Sequence, residues 1–158
     1  MTEVFEVRLS PQQRRLWLLQ EIHGPWNVEI EAELAGPLDR EALDAAIRAA
    51  VERHDILRTT FQTIPGMKMP VQVIGEEGSL RVEVLPVGPD RHRLTLGLPA
   101  LCGDLGTLRL LLGEIAGGPV SEVMQYWHYS EWLNELLEDE SYAGERDYWQ
   151  RRLLGAPA

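Results

Sequence analysis

Two stretches of the chain alternate hydrophobic and polar residues with a period of two, which is typical of a β-strand with one exposed face. In the first, positions 28, 30, 32 and 34 are hydrophobic and the glutamates between them are expected to face solvent. In the second, Leu94, Leu96 and Leu98 share one face. The alternation predicts a strand over residues 28–34 and a hairpin of residues 80–85 and 92–98, which Pro99 ends because proline has no amide hydrogen. Two further strands are predicted over residues 57–64 and 71–74.

Between these strands the hydrophobic spacing changes to that of helices. Ser10 can cap a first helix, Pro11 suits its first position, and Gln13 can complete a capping box. Asp39 can cap a second helix. The predicted helices cover residues 11–22, a segment after Asp39, and residues 105–115, 121–137 and 142–154. This interleaving predicts an α/β (α+β) fold with a mixed, largely antiparallel sheet and helices packed on it.

Composition narrows the class of protein. A chain of 158 residues that is 44% hydrophobic suits one domain, here taken as residues 1–158. A net charge of −10 argues against nucleic acid or an anionic membrane as partner. The single cysteine, Cys102, excludes an intrachain disulfide and a regular zinc ligand set. The chain has no apolar run that suits a signal peptide or a membrane span, so we expect a cytoplasmic protein.

Several side chains invite a chemical role, and each has a structural alternative. Cys102 is either a nucleophile or a small buried hydrophobe, and the second is favoured because no histidine adjoins it in sequence. His128, Glu131 and Glu135 share a helical face that could hold a metal, although a lone histidine beside aromatic residues more often packs. His54 lies on an apolar helical stripe and is expected to be a core or helix-end histidine.

The aromatic residues of the fourth predicted helix have two interpretations. They could form a partner surface, or Trp127 and one flank could belong to the core, which is favoured two to one. The set consists of Tyr126, Trp127, Tyr129 and Trp132.

Three segments of the chain carry a resemblance to a known family: residues 9–17 (LSPQQRRLW), 38–43 (LDREAL) and 53–61 (RHDILRTTF). Together they resemble the condensation domain of nonribosomal peptide synthetases, a family whose fold is similar to that of chloramphenicol acetyltransferase. The first segment resembles the family's first core motif, and the other two match its more specific second region in order and spacing. Similarities at residues 125–132 and 148–157 extend the resemblance over nearly the whole chain. It implies one lobe of a chloramphenicol acetyltransferase-like fold, the N-terminal one, without the second.

The family's active-site motif has two histidines, three variable residues, an aspartate and a glycine. Here Pro99 and Ala100 stand at the two histidines, Asp104 matches the aspartate, and Leu105 replaces the glycine. In the family the second histidine acts as a base or positions the attacking amine, and a methyl group can do neither. The resemblance therefore implies a degenerate motif and no catalytic residue in this chain.

The resemblance gives Asp104 a structural role. In the family the matching aspartate is thought to pair with an arginine, for which Arg58 and Arg53 are the candidates here. The alternative is that Asp104 only caps the helix from Leu105.

The resemblance leaves two main hypotheses for function. The chain is either a condensation-like module of nonribosomal peptide biosynthesis that is not catalytic alone, or half of a split condensation enzyme that forms amide bonds when joined to its C-terminal lobe. A free-standing acetyltransferase is less favoured, because it would also need the motif histidine.

The expected partners follow from the same resemblance. They are carrier proteins bearing acyl or aminoacyl groups on phosphopantetheine arms, and a C-terminal lobe or neighbouring synthetase module. No cofactor or metal is expected to bind directly. The exposed lobe interface also predicts self-association.

Overall fold

The computed structural model describes residues 5–76 and 78–154. In these residues the strands are β1 (Phe5–Arg8), β2 (Asn27–Ala35), β3 (Thr59–Gln62), β4 (Val71–Ile74), β5 (Arg81–Gly88) and β6 (Arg91–Pro99). The α-helices are α1 (Pro11–His23), α2 (Arg40–Arg53), α3 (Leu105–Ile115), α4 (Tyr126–Glu138) and α5 (Ala143–Leu153). Short 3-10 turns span Asp55–Arg58 and Glu140–Tyr142. No α-helix in the described ranges is long and apolar enough to cross a membrane.

The strands that were predicted from alternation form one sheet in the order β2-β6-β5, and both of its pairings are antiparallel. Leu94, Leu96 and Leu98 point into the core and are at most 1% exposed. α2 and α3 cover this face with residues that include Ala50 and Leu108. The predicted hairpin is therefore confirmed, and its burial supplies the main hydrophobic stabilisation of this half of the chain.

The opposite face of the same sheet is charged. Glu29, Glu31 and Glu33 are exposed and form ion pairs with arginines of the neighbouring strands, which are Arg81, Arg93 and Arg91 respectively. The pair of Glu29 and Arg81 crosses the central strand at Gly97. Exposed ion pairs of this kind contribute little stability individually, about 0–1 kcal/mol.

The remaining strands form a second sheet in the order β1-β4-β3, also antiparallel. The α+β class is thus confirmed, but the described strands make two antiparallel sheets rather than one mixed sheet. The predicted strand over residues 57–64 is wrong at its start, because Asp55–Arg58 is a 3-10 turn and β3 begins at Thr59. An ion pair of Asp55 with Arg58 and a hydrogen bond from the Thr59 hydroxyl to the Asp55 carbonyl stabilise the turn.

The fourth predicted helix also begins later than expected, at Tyr126 rather than Ser121. The residue before it, Gln125, has an extended backbone. Its side-chain oxygen accepts from the Asp55 N–H at 3.0 Å, and its amide nitrogen donates to the Arg53 carbonyl at 2.8 Å. These tertiary contacts with the end of α2 hold residue 125 outside the helix.

A buried amide pair connects the two sheets. Gln13 on α1 and Gln72 on β4 are 2% and 1% exposed. The Gln13 Nε2 donates to the Gln72 Oε1 at 3.1 Å and to the Leu101 carbonyl at 3.0 Å, just after β6. The Gln13 Oε1 accepts from the Ser10 N–H at 3.0 Å, which completes the predicted capping box of α1. The side chain of Gln13 therefore has a partner for its oxygen and two for its nitrogen, and it links α1, β4 and the end of the other sheet.

The polar network continues into α4. The Gln72 Nε2 donates to the Arg8 carbonyl and to the Ser130 hydroxyl, at 2.9 and 3.3 Å. One turn further along α4, the Asn134 Nδ2 donates to the Leu9 carbonyl at 3.0 Å. Ser130 and Asn134 are 0% and 2% exposed. α4 is thus held against β1 by hydrogen bonds from the two buried polar residues of its inner face.

A charged cluster joins the ends of α2 and α3. The Glu114 carboxylate binds Arg53 with one oxygen and the His54 Nε2 with the other, the latter at 2.7 Å. Burial raises the pKa of Glu114, but the hydrogen bonds and charges of His54 and Arg53 outweigh it and bring the pKa below its ordinary value of 4.5. The ionised carboxylate is therefore favoured in the folded state.

Replacing Gln13 with leucine should destabilise the fold, because Gln72, Leu101 and the Ser10 N–H would lose a partner in a buried site. We expect the free energy of unfolding to fall by about 2–3 kcal/mol. The neighbouring Gln12 is exposed, and Gln12→Leu should change it by less than about 0.5 kcal/mol. Urea unfolding of both variants measures the difference, and equal effects at the two positions would contradict the role given to the network.

Glu114→Gln should destabilise the fold at neutral pH by about 1–2 kcal/mol, because the charged partner of Arg53 and His54 is lost. Since the folded state lowers the pKa of Glu114, the stabilisation is fully present above pH 4.5 and disappears as the pH falls through the lowered value. Unfolding curves of both proteins measured from pH 7 to pH 3 should therefore converge at the acid end. The exposed Glu52→Gln is the control, and a difference that stays constant down to pH 3 would count against this role of Glu114.

Candidate active-site loop

Three hydrogen bonds fix the backbone of the loop after β6, two of them to residues elsewhere in the chain and one within the loop. The Ala100 N–H donates to the Trp26 carbonyl at 2.9 Å, and the Cys102 N–H donates to the Pro99 carbonyl at 2.8 Å. Between these two residues, the Leu101 carbonyl accepts from Gln13. Leu101 and Cys102 are buried, whereas Pro99 and Ala100 are half-buried. The loop therefore has a defined conformation that presents positions 99 and 100 at the end of the sheet.

The side chains at these two positions carry no acid–base chemistry. Pro99 is the last residue of β6, as predicted, and lies opposite Asn27 of β2. Neither a pyrrolidine ring nor the methyl group of Ala100 can accept a proton or orient an amine. At this loop the structure retains a positioned backbone without an ionisable side chain at positions 99 and 100.

Asp104 acts as a helix cap. Its Oδ1 accepts from the Thr107 N–H at 2.8 Å, and the Thr107 hydroxyl in turn contacts the Asp104 N–H, which forms a capping box at the start of α3. Hydrogen bonds from the Thr107 backbone and hydroxyl lower the pKa of Asp104. The residue is exposed, and Leu105 after it is 42% exposed. The structure therefore shows Asp104 as the cap of α3, which is one of the two roles predicted for it.

The two arginines considered as partners of Asp104 bind other carboxylates. Arg58 pairs with Asp55, three residues away in the 3-10 turn, at 2.6 Å. Arg53 pairs with Glu114 at the far end of α3. The structure therefore does not bring Asp104, Arg53 and Arg58 together, because each arginine lies closer to a carboxylate of its own neighbourhood.

Sequence reasoning missed a steric requirement at Gly103. A Cβ on this residue would lie 2.8 Å from the Thr107 Cγ2 and 3.0 Å from its Cβ. The capping interaction between Asp104 and Thr107 thus depends on a residue without a side chain at position 103. The Asp-x-x-Thr spacing after a glycine was the signal available in the sequence.

Cys102 is the small buried residue that was expected and not a nucleophile. It is 5% exposed, and burial raises the pKa of its thiol to about 11, although a hydrogen bond with Ser79 opposes the shift. Its Sγ lies 3.6 Å from the Ser79 Oγ and 3.7 Å from the Thr59 carbonyl. At neutral pH the thiol is protonated, and the thiolate needed for nucleophilic attack is scarce.

Of the three groups considered for metal binding, Glu131 is engaged with Arg8, while His128 and Glu135 are exposed. The Glu131 carboxylate accepts from the Arg8 backbone N–H and from its guanidinium, at 2.9–3.2 Å. No cluster of three candidate metal ligands occurs in the part of the chain that the structure describes. His54 is the C-cap of α2 and binds Glu114, which confirms the expected helix-end role.

The aromatic residues of α4 divide between the two interpretations. Tyr126 contacts the Ser10 hydroxyl at 2.8 Å, and the Trp127 Nε1 donates to the Asp55 carboxylate at 3.1 Å. Both are therefore part of the interior contacts. Tyr129 and Trp132 face outwards with ring centroids 5.9 Å apart, and Trp132 is 55% exposed.

A cavity of about 210 Å³ adjoins the loop. Its lining includes Pro99 and Leu98 together with three hydrogen-bonding side chains, those of Asn27, Ser79 and Arg81. The guanidinium of Arg81 is paired with Glu29, so the cavity carries little net charge. These groups could hold a carbonyl oxygen, but none of them is a base at neutral pH.

The contacts that fix the loop were not predicted. The Gln13 side chain was expected only to cap α1, and no role was assigned to Gln72. A signal existed at Gln72, because it interrupts the apolar strand Val71–Ile74 with a residue that can be buried only if it is hydrogen-bonded.

Comparison with known proteins assigns the fold to a family. The family model described as "Condensation domain" matches residues 5–93, which end just before the loop. The chain is 26% identical over 180 residues to gramicidin S synthase 2 of Brevibacillus brevis, covering 89% of this chain and 4% of that protein. It is 27% identical over 203 residues to a dimodular nonribosomal peptide synthase of Bacillus subtilis (strain 168), covering 96% of this chain and 8% of that protein. The chain thus spans a small fraction of these relatives.

Solved structures agree with this fold. A mutant of the starter condensation domain of the rhizomide synthetase RzmA superimposes with a TM-score of 0.82 at 15% identity, covering 98% of this chain and 49% of that one. The X-domain from teicoplanin biosynthesis gives a TM-score of 0.79 at 21% identity, covering 99% and 45%. The chain therefore has the chloramphenicol acetyltransferase-like fold of condensation domains, over about half their length. Because the family model matches more than half of the 158 residues, the chain belongs to the condensation domain family.

Proposed function

We propose that residues 1–158 form the N-terminal lobe of a condensation domain that acts as a non-catalytic module of nonribosomal peptide biosynthesis. In this role it would interact with acyl or aminoacyl groups on carrier proteins without joining them itself. The observation that carries the proposal is the methyl side chain of Ala100, which the resemblance aligns with the motif's second histidine, in a loop whose backbone is bound by Trp26 and Gln13.

The expected loss of activity has a direct physical cause. A positioned base contributes about 10²–10⁴-fold to the rate of a proton-transfer step, and the methyl group of Ala100 supplies none of it. Cys102 cannot replace the missing base, because burial raises its thiol pKa to about 11. Asp104 is engaged with Thr107 as a cap. The side chains of the loop therefore support a binding role better than a catalytic one.

Binding remains compatible with the structure. The cavity beside the loop is lined by Pro99 and by the Asn27 and Arg81 side chains, which carry N–H donors. A phosphopantetheine arm carries amide carbonyls that such donors can bind. The curated relatives that the chain resembles are peptide synthases, which supports carrier proteins and neighbouring synthetase modules as partners. No directly bound cofactor is part of the proposal.

The alternative is half of a split or fragmentary condensation enzyme, which forms amide bonds when a C-terminal lobe completes it. The observation that favours it is the length of the solved condensation domains, about half of which this chain covers. Missing catalytic groups would then have to come from the other lobe.

The proposal also includes a cytoplasmic location and self-association through an exposed lobe surface. The free thiol of Cys102 supports the cytoplasmic location.

The decisive experiment supplies the chain with a C-terminal condensation lobe and loaded donor and acceptor carriers, then measures amide product. We expect the unaltered protein to give only the background rate while still binding the carriers. Ala100→His should raise the rate above background because it restores a base at the loop, and Ala100→Asn is the control of similar polarity without a basic nitrogen.

Two results would decide against the non-catalytic role. If the unaltered protein forms product at a rate that Ala100→His does not exceed, the split-enzyme alternative is correct and other residues carry the chemistry. If the unaltered protein binds neither loaded carrier, measured by calorimetry at concentrations where an intact condensation domain binds, the proposed binding role fails.

A further inference from the structure

The last helix of the described chain has no core of its own. All residues of α5 are exposed apart from the half-buried Arg146. The Arg146 guanidinium donates to the Leu137 and Asp139 carbonyls at 2.7 and 2.9 Å, which fixes the start of α5 to the end of α4. The rest of the helix projects from this anchor. An isolated helix of 11 residues is only marginally stable in water, so α5 requires a packing partner.

The apolar side of α5 is well suited to docking. Trp149 and Leu153 lie one helical turn apart on the same side, and they are 58% and 63% exposed. Tyr148 adjoins Trp149 edge-on, with ring centroids 5.4 Å apart. Partly exposed aromatic side chains at this density are typical of an interface anchor rather than of a solvated surface.

A matching recess lies on the outer side of α4. Met124, His128, Tyr129 and Trp132 line an apolar groove with a volume of about 480 Å³. Met124 and Trp132 are 76% and 55% exposed. The volume of the groove is sufficient for a large side chain. Its thioether and aromatic groups can adapt to an inserted aromatic ring.

The charges around the two surfaces are opposite. α4 contains three glutamates and no lysine or arginine, and of these Glu135 is exposed and lies three residues after the groove residue Trp132, on the same side of the helix. Glu131 and Glu138 are paired with Arg8. The last turn of α5 carries Arg151 and Arg152 next to Leu153. If α5 lies in the groove, Arg151 or Arg152 can therefore approach the exposed Glu135 of α4.

We propose that α5 of one copy of this chain docks in the α4 groove of a second copy, with Trp149 in the groove and Arg152 beside Glu135. Because each copy has both surfaces, the exchange is reciprocal and closes as a two-fold dimer. It also doubles the buried surface, which helps to reach the roughly 1,200 Å² of a stable interface. The inference specifies the self-association included in the proposed function, and its test involves neither carriers nor amide formation.

Sedimentation velocity of the full 158-residue chain over a range of concentrations tests the dimer. We expect a monomer–dimer equilibrium that Trp149→Ala and Trp132→Ala each weaken by about 30-fold or more in dissociation constant. Ile22→Ala removes a hydrophobic residue of α1 that is 76% exposed, more than either tryptophan, and should change the constant less than about twofold. A chain that stays monomeric at high concentration, or equal weakening by Ile22→Ala, would overturn the proposal.

Charge exchange tests the orientation. Glu135→Arg and Arg152→Glu should each weaken the dimer by about fivefold, and the double variant should recover most of the loss because the pair is restored with reversed signs. Additive losses in the double variant would reject this docking orientation.

Cysteine cross-linking distinguishes a second copy from the chain's own α5. Cys102 is buried with a raised thiol pKa, so its background reaction is slow. On mild oxidation, a mixture of Glu135→Cys and Arg152→Cys chains, which keep both tryptophans, should give a cross-linked product with the mass of two chains. If only the doubly substituted chain cross-links, and does so within one chain, the groove belongs to its own helix and the dimer proposal is wrong.

Discussion

The Gln13 amide is the contact on which the arrangement of the two sheets depends. Its nitrogen donates both to Gln72 in one sheet and to the Leu101 carbonyl at the end of the other, while its oxygen caps the start of α1. A primary amide has two hydrogens, and in this buried site each is directed to a different structural layer. Because an unsatisfied polar group at this depth costs about 1–3 kcal/mol, the network tolerates few other arrangements of α1, β4 and the loop. Packing of leucines alone would leave the relative position of the sheets less defined.

The contacts that hold the loop separate its position from the chemistry of its side chains, two properties that an enzyme normally combines. The loop of a condensation domain must be held in a defined position, and it must carry a side chain that handles a proton. In this chain Gln13 and Trp26 position the loop through backbone atoms, which depend little on the side chains at positions 99 and 100. The side chains of Pro99 and Ala100 can therefore change without loss of the fold. The proposed non-catalytic role therefore needs no change in the family's architecture.

The described chain is uneven in how well it buries its surface. The β2-β6-β5 sheet with α2 and α3 has a compact apolar core, and the second sheet is held to α1 and α4 by buried polar groups. α5 has neither, and its aromatic residues are exposed together with the groove on α4. A family whose solved members are about twice as long offers a physical reason for such a surface, since half of a larger fold exposes what the other half would cover. The dimer proposed above would cover the same surface.

The sequence by itself determined the elements whose signals are local. Alternation located β2 and the β5–β6 hairpin, and the capping residues Ser10, Asp39 and Asp104 marked the starts of three helices. These features were predictable because each depends on residues within one or two turns of the chain. The family was also recognisable, since ordered motifs such as residues 53–61 combine many local constraints. Only the tertiary structure decided that the strands form two sheets, that Arg53 and Arg58 bind Glu114 and Asp55 instead of Asp104, and that Gln13 and Gln72 hold the loop. These pairings join polar groups that are far apart in the sequence. The local sequence around a hydrogen-bonding residue does not indicate which distant group will be its partner.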